Sequence, residues 1–184
     1  MELQPALLLA PLALLAACSR HGGDDSAHAK PAAVEPDTTA PTVHAAPDPN
    51  GAAVVFLLDG GKEVRVPVEM ARTSRQIQRG LMYREHLPPD AGMLFFLRHE
   101  KIQTFWMKNT LIPLDMIFVN GAMEVVGVVE NAEPKTLTSR RVSRPSMFCI
   151  EVNGGWAKAH GVGAGARVRF DNVPPIGPAD GDYD

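Results

Sequence analysis

Between Val54 and Phe170, short apolar runs alternate with polar, glycine-rich or proline-rich turns. Val54 to Leu58 is apolar, and Asp59-Gly60-Gly61-Lys62 turns the chain. Val64, Val66 and Val68 then alternate with Arg65 and Pro67, the pattern of a half-buried strand, and Pro67 places that strand near a sheet edge. Thr73 with Gln76 three residues on is a capping box, and Gly80 closes the short helix that it opens. Leu87-Pro88-Pro89-Asp90-Ala91-Gly92 leads into a strand over Met93 to Leu97. Gln103 to Lys108 reads as another strand, with Phe105, Met107 and Asn109 on one side and Trp106, Lys108 and Thr110 on the other. Leu114 to Val119 pairs with Met123 to Val129 across Asn120-Gly121, a strong hairpin signal. Phe148 to Val152 is a strand, Trp156 to His160 one helical turn ended by Gly161, and Arg167 to Phe170 the last strand. Short strands separated by turn signals predict an all-β domain, a jelly-roll-like sandwich or barrel with one or two short helices.

The flanks have another character. Residues 18–52 read as a Pro/Ala-rich disordered tether, in which only Val34 and Val43 beyond Cys18 are bulky and apolar. Residues 174–184 read as a disordered acidic tail, which leaves the β-rich domain at 53–173. That domain holds sixteen Lys/Arg against twelve Asp/Glu, and the flanks two against nine, within a net charge of −3. The domain is mildly basic, which suits an anionic ligand, but its cations are too scattered for a nucleic-acid footprint. Residues 1–17 form a signal-like segment whose apolar run, Leu7 to Ala17, is too short to span a bilayer. Leu15-Ala16-Ala17-Cys18 resembles the lipobox of bacterial lipoproteins, although no Lys or Arg precedes the run. The resemblance implies that Cys18 is lipidated and anchors the chain to a membrane. With Ser19 next, the implied place is the periplasmic face of the outer membrane of a Gram-negative cell.

Four motifs carry a second resemblance: Arg79-Gly80-Leu81-Met82-Tyr83-Arg84, Ala91-Gly92-Met93-Leu94-Phe95-Phe96, Phe105 to Asp115, and Glu151-Val152-Asn153-Gly154-Gly155-Trp156-Ala157. Their order is similar to that of domain of unknown function family 192, an uncharacterised bacterial and archaeal family. The resemblance implies an exported, compact β domain and brings no activity with it. Ser74, Arg75 and Gln76 stand where the family usually opens its helix with acidic residues, and Ala166 follows Gly165 where Asp is usual.

Candidate chemistry centres on polar groups set inside apolar strands. Asp115 and Glu151 are carboxylates in such runs, and Arg79 and Arg84 flank the short helix within reach of them. One reading makes Asp115 and Glu151 a catalytic carboxylate pair for glycan cleavage, which needs them roughly 5–10 Å apart across a cleft. The preferred reading is a structural ion-pair network in which bidentate arginines make burial tolerable. Trp106, Lys108 and Asn109 line a groove in one reading, with the ring stacking on a saccharide, and pack or snorkel in the other. The arginine cluster Arg140, Arg141 and Arg144 reads as a solvated loop. Cys149 reads as a small buried hydrophobe, and His86, His99 and His160 have no metal-ligand spacing. No cofactor or metal is expected. The function expected is a lipid-anchored binding or accessory module, not an enzyme. It holds a small polar or anionic envelope ligand through Arg79, Arg84, Trp106, Lys108, Asn109 and Asp115. The alternatives are the glycan-cleaving enzyme and a structural protein–protein module.

Overall fold

The computed structural model describes Asp48 and residues 50–175. The signal segment, Cys18, nearly all of the tether and all of the acidic tail beyond Pro175 lie outside the described residues. The elements run β1 (Ala53–Leu57), β2 (Glu63–Ala71), α1 (Ser74–Arg79), β3 (Gly92–Lys101), β4 (Leu114–Val119), β5 (Val125–Ala132), β6 (Ser146–Asn153), α2 (Trp156–His160) and β7 (Arg167–Asp171). The strands form one sheet in the order β5-β4-β6-β3-β2-β1-β7. Neighbours are antiparallel except β2 and β3, and α1 with its following loop provides the crossover that a parallel pair requires. The sheet curls until its edges touch. Met123 and Val125, at the start of β5, exchange backbone hydrogen bonds with Gly165, Ala166 and Val168 at the start of β7. The mainly β fold with short helices is thus what the alternation of the chain predicts.

Successive strand residues point to opposite faces, and both faces of the central strands are covered. One face carries Val54, Phe56, Leu94, Ile117, Ile150, Val152 and Trp156. The other carries Leu81, Phe95, Met107, Met116, Phe118 and Cys149. β4 is buried at every position, which is why its sequence is a continuous apolar run broken only by Asp115.

Local signals set the ends of α1. The Thr73 hydroxyl accepts the Gln76 N–H at 3.2 Å, and Gln76 Oε1 accepts the N–H groups of Thr73 and Arg72, both at 3.0 Å. Three expectations are corrected. β2 is not an edge strand: it lies between β1 and β3, and Pro67 is tolerated because pairing with β3 begins only at Val68 and Gly92. Gln103 to Lys108 is not a strand. It crosses the outer face of the sheet, bonded through Phe105 to Arg140 and through the Met107 N–H to the Thr136 carbonyl. Its alternation holds through Lys108 and then breaks at Asn109, where φ is +55° and Thr110 turns inward. Finally, the β4–β5 connection is longer than a two-residue Asn-Gly turn. Asn120 caps it through its side chain to the Glu124 N–H at 2.9 Å, and the positive φ falls on Met123 at +60°.

Candidate functional site

Where α1 ends, the loop after it, the segment 103–106 and the loop around Leu137 stand over the second face without meeting, leaving an open cleft of about 530 Å³. Its walls are mainly apolar, with Ile77, Leu81, Phe95, Phe105 and Trp106 prominent, and Glu151 lies among them. Gly80 makes room for this arrangement. Its φ is +47°, and a Cβ there would stand 3.2 Å from the Phe95 ring and 3.9 Å from Glu151 Oε2.

Glu151 is 5 % exposed. Its neighbours across the ladder are Met93 on β3 and Met116 on β4, neither of which donates a useful hydrogen bond. No hydrogen bond or ion pair to its carboxyl forms among the described residues. Burial without a partner disfavours the charged form and pushes its pKa up to about 8. Glu151 therefore holds its proton at neutral pH, inside an apolar cleft that opens to solvent. Cys149, two residues back on the same face, is buried, and its thiol is raised by burial first and by Glu151 second. It is the inert hydrophobe that the sequence suggests.

Asp115 is the opposite case. It is fully buried, and its Oδ1 accepts the N–H groups of Asn131 at 2.8 Å and Gly155 at 2.9 Å, while Oδ2 accepts that of Ala157 at 2.8 Å. One carboxylate thus ties the end of β5 and the start of α2 to β4. Asp115 lies opposite Val152 in the ladder, so its side chain leaves the sheet on the face away from Glu151. The two carboxylates share no cleft, and the catalytic pair envisaged for glycan cleavage is not formed. Nor is there an arginine on Asp115: its partners are backbone amides alone among the described residues.

The other candidates are only partly brought together. Arg79 and Trp106 line the cleft, and Trp106 is 48 % exposed. The Lys108 ammonium stands over the Trp106 ring, 5.6 Å from its centroid, at the rim and outside the lining. Arg84 forms a two-pronged pair with Glu69, with Nη2 to Oε2 at 2.6 Å, and touches neither Asp115 nor Glu151. Asn109 donates to the Tyr83 hydroxyl at 2.6 Å, and its carbonyl accepts the Tyr83 N–H, so it builds the loop instead of facing the cleft. Arg140 bonds Thr136 and Arg144 approaches Glu124 at 3.6 Å, so these two arginines of the loop serve local structure. Sequence reasoning missed Leu137, Ser139, Gln103 and Gly80 as lining residues. Only Gly80 carried a usable signal, a glycine that ends the helix inside the first of the four motifs.

The fold has solved counterparts. A crystal structure described as a putative transcription regulator from Sinorhizobium meliloti 1021 is 32% identical with a TM-score of 0.63, covering 67% of this chain and 97% of that one. A protein of unknown function from Novosphingobium aromaticivorans DSM 12444 is 36% identical with a TM-score of 0.61, covering 64% of this chain and 83% of that one. No curated protein matches. The segment 55–170 matches the family DUF192, described as Uncharacterized ACR. All four motifs named above fall within that span, so the chain belongs to this family of uncharacterised domains.

Proposed function

We propose that the domain is a small-molecule binding module and that the cleft over Glu151 is its binding site. One observation carries this reading: an open, mainly apolar cleft with a largely buried carboxyl in it that takes no protein hydrogen bond among the described residues. Protein interiors are close-packed, and drawing a carboxyl out of bulk water without giving it a protein hydrogen bond is unfavourable. A fold that keeps both features in one place suits a ligand that fills the space and meets the acid. The ligand that fits is small, with a flat or apolar body against Phe95, Phe105 and Trp106 and one polar group toward Glu151. A saccharide could stack on Trp106, but most of its hydroxyls would face carbon. An aglycone or other apolar ring suits these walls better. With Cys18 lipidated, the module would work at the periplasmic face of the outer membrane.

Tryptophan fluorescence tests the reading, because Trp106 is half exposed while Trp156 is buried. Phenyl β-glucoside is expected to shift the emission at concentrations where glucose leaves it unchanged. Replacing Trp106 with Phe is expected to abolish the shift. An emission indifferent to phenyl and octyl glucosides would count against the cleft as a site.

A further inference from the structure

Glu151 points into a cleft whose walls are mainly apolar, with Arg79 exposed at its mouth. Met93 and Met116 flank it across the ladder, Gly80 passes over its Oε2, and the Phe95 and Phe105 rings meet edge to face at 5.5 Å on the same side. Aromatic rings with a single carboxyl among them match one chemical class well. The rings attract a cation through their faces, and the carboxyl supplies its counter-charge. An anion would meet at Glu151 a group whose only possible charge is negative, and would find a counter-charge only at Arg79 at the solvent-screened mouth. A neutral acceptor would take one hydrogen bond and gain nothing from the acidity.

We infer that the cleft is an amine site, which takes a small primary or secondary ammonium on an aromatic or alkyl body with the Glu151 carboxylate as counter-ion. This inference rests on the cleft being a binding site at all. The binding step balances simply: the ammonium enters with its proton, the Glu151 carboxyl loses its own to solvent, and an ion pair remains. No bond to carbon changes. The free carboxyl titrates at about 8, so binding at lower pH must displace its proton. The groups around it that bear on this exchange are few. Cys149 on β6 is held neutral by burial, Met93 on β3 and Met116 on β4 carry no charge, and Thr110 and Ser139 from the loops are uncharged. Arg79, at the end of α1, is the cation of the lining and is exposed at the mouth, where solvent screens it.

Calorimetry on the full chain decides the matter with three probes of one shape: 2-phenylethylamine, 2-phenylethanol and 3-phenylpropionate. The amine is expected to bind at least ~10-fold more tightly than the alcohol at pH 7.5, with the acid weakest. Its affinity should rise about tenfold per pH unit from pH 6 to 7.5 and level off above 8. Buffers of different ionisation enthalpy should count about one proton released per amine at pH 6.5. Glu151→Gln should erase both the preference for the amine and the proton release. If the alcohol or the acid binds as well as the amine, or no proton is released, the amine assignment is wrong while the cleft stands as a binding site. If none of the three binds, the cleft reading falls with it.

Discussion

Asp115 and Glu151 sit on adjacent strands, at neighbouring levels of one ladder, and both interrupt runs of apolar residues. They are almost equally buried. On one face of the sheet, Asp115 collects three backbone N–H groups and becomes a fastening for β5 and α2. On the other face, Glu151 collects none and looks into an open cleft. Burial alone therefore does not assign a role to a carboxylate. The donors that its strand face brings near decide whether it is mortar or a site.

Removing each carboxyl should have opposite effects on stability. Asp115→Ala leaves three backbone donors without their partner, that of Ala157 in the interior and those of Asn131 and Gly155 partly buried, and should cost about 3 kcal/mol in urea unfolding. A loss under ~1 kcal/mol would mean that water replaces the carboxylate and that the two faces differ less than described.

The second effect is a pH dependence with a definite sign. The folded-state pKa of Glu151 is raised from 4.5 to about 8, so folded protein keeps a proton that the unfolded chain releases. The corresponding stability is fully present below pH 4.5 and is lost as pH rises toward 8, on the order of 3 kcal/mol between pH 5 and 7.5. Glu151→Gln should flatten this slope and unfold at a higher temperature than the parent at pH 7.5. Parallel pH–stability curves for the two proteins would show that Glu151 ionises normally and has a partner or water shell.

The smallest effect concerns Arg84, which the sequence offers to either carboxylate and the structure gives to Glu69. Arg84→Lys loses the two-pronged geometry and should cost about 1 kcal/mol. It should leave the pH dependence due to Glu151 unaltered. A changed slope in that variant would place Arg84 near Glu151 and undo the contrast between the faces.

The residues differ in how legible they were. Thr73 and Gln76 announce their helix because a capping box is completed within four residues of chain. Hairpin partners on β4 and β5 are likewise near each other in sequence, alternation marks β2, and short apolar runs bounded by turn signals mark β1 and β6. Gln103 to Lys108 was misread because its alternation is real but its hydrogen bonds go to Arg140 and Thr136, some thirty residues away. An alternating segment shows that one side is buried; it does not show whether a strand or a loop lies beside it.

Trp106 and Arg79 were legible as cleft residues because each stands in a motif, whereas Leu137 stands in none and reaches the cleft only through folding. What the chain by itself determined is therefore the mainly β class, the ends of both helices and the oddity of acids inside strands, since local sterics and solvation act between near neighbours. The tertiary structure decided which acid is satisfied. A one-residue difference along paired strands sends a side chain to the opposite face, and the donors or empty space waiting there come from distant parts of the chain.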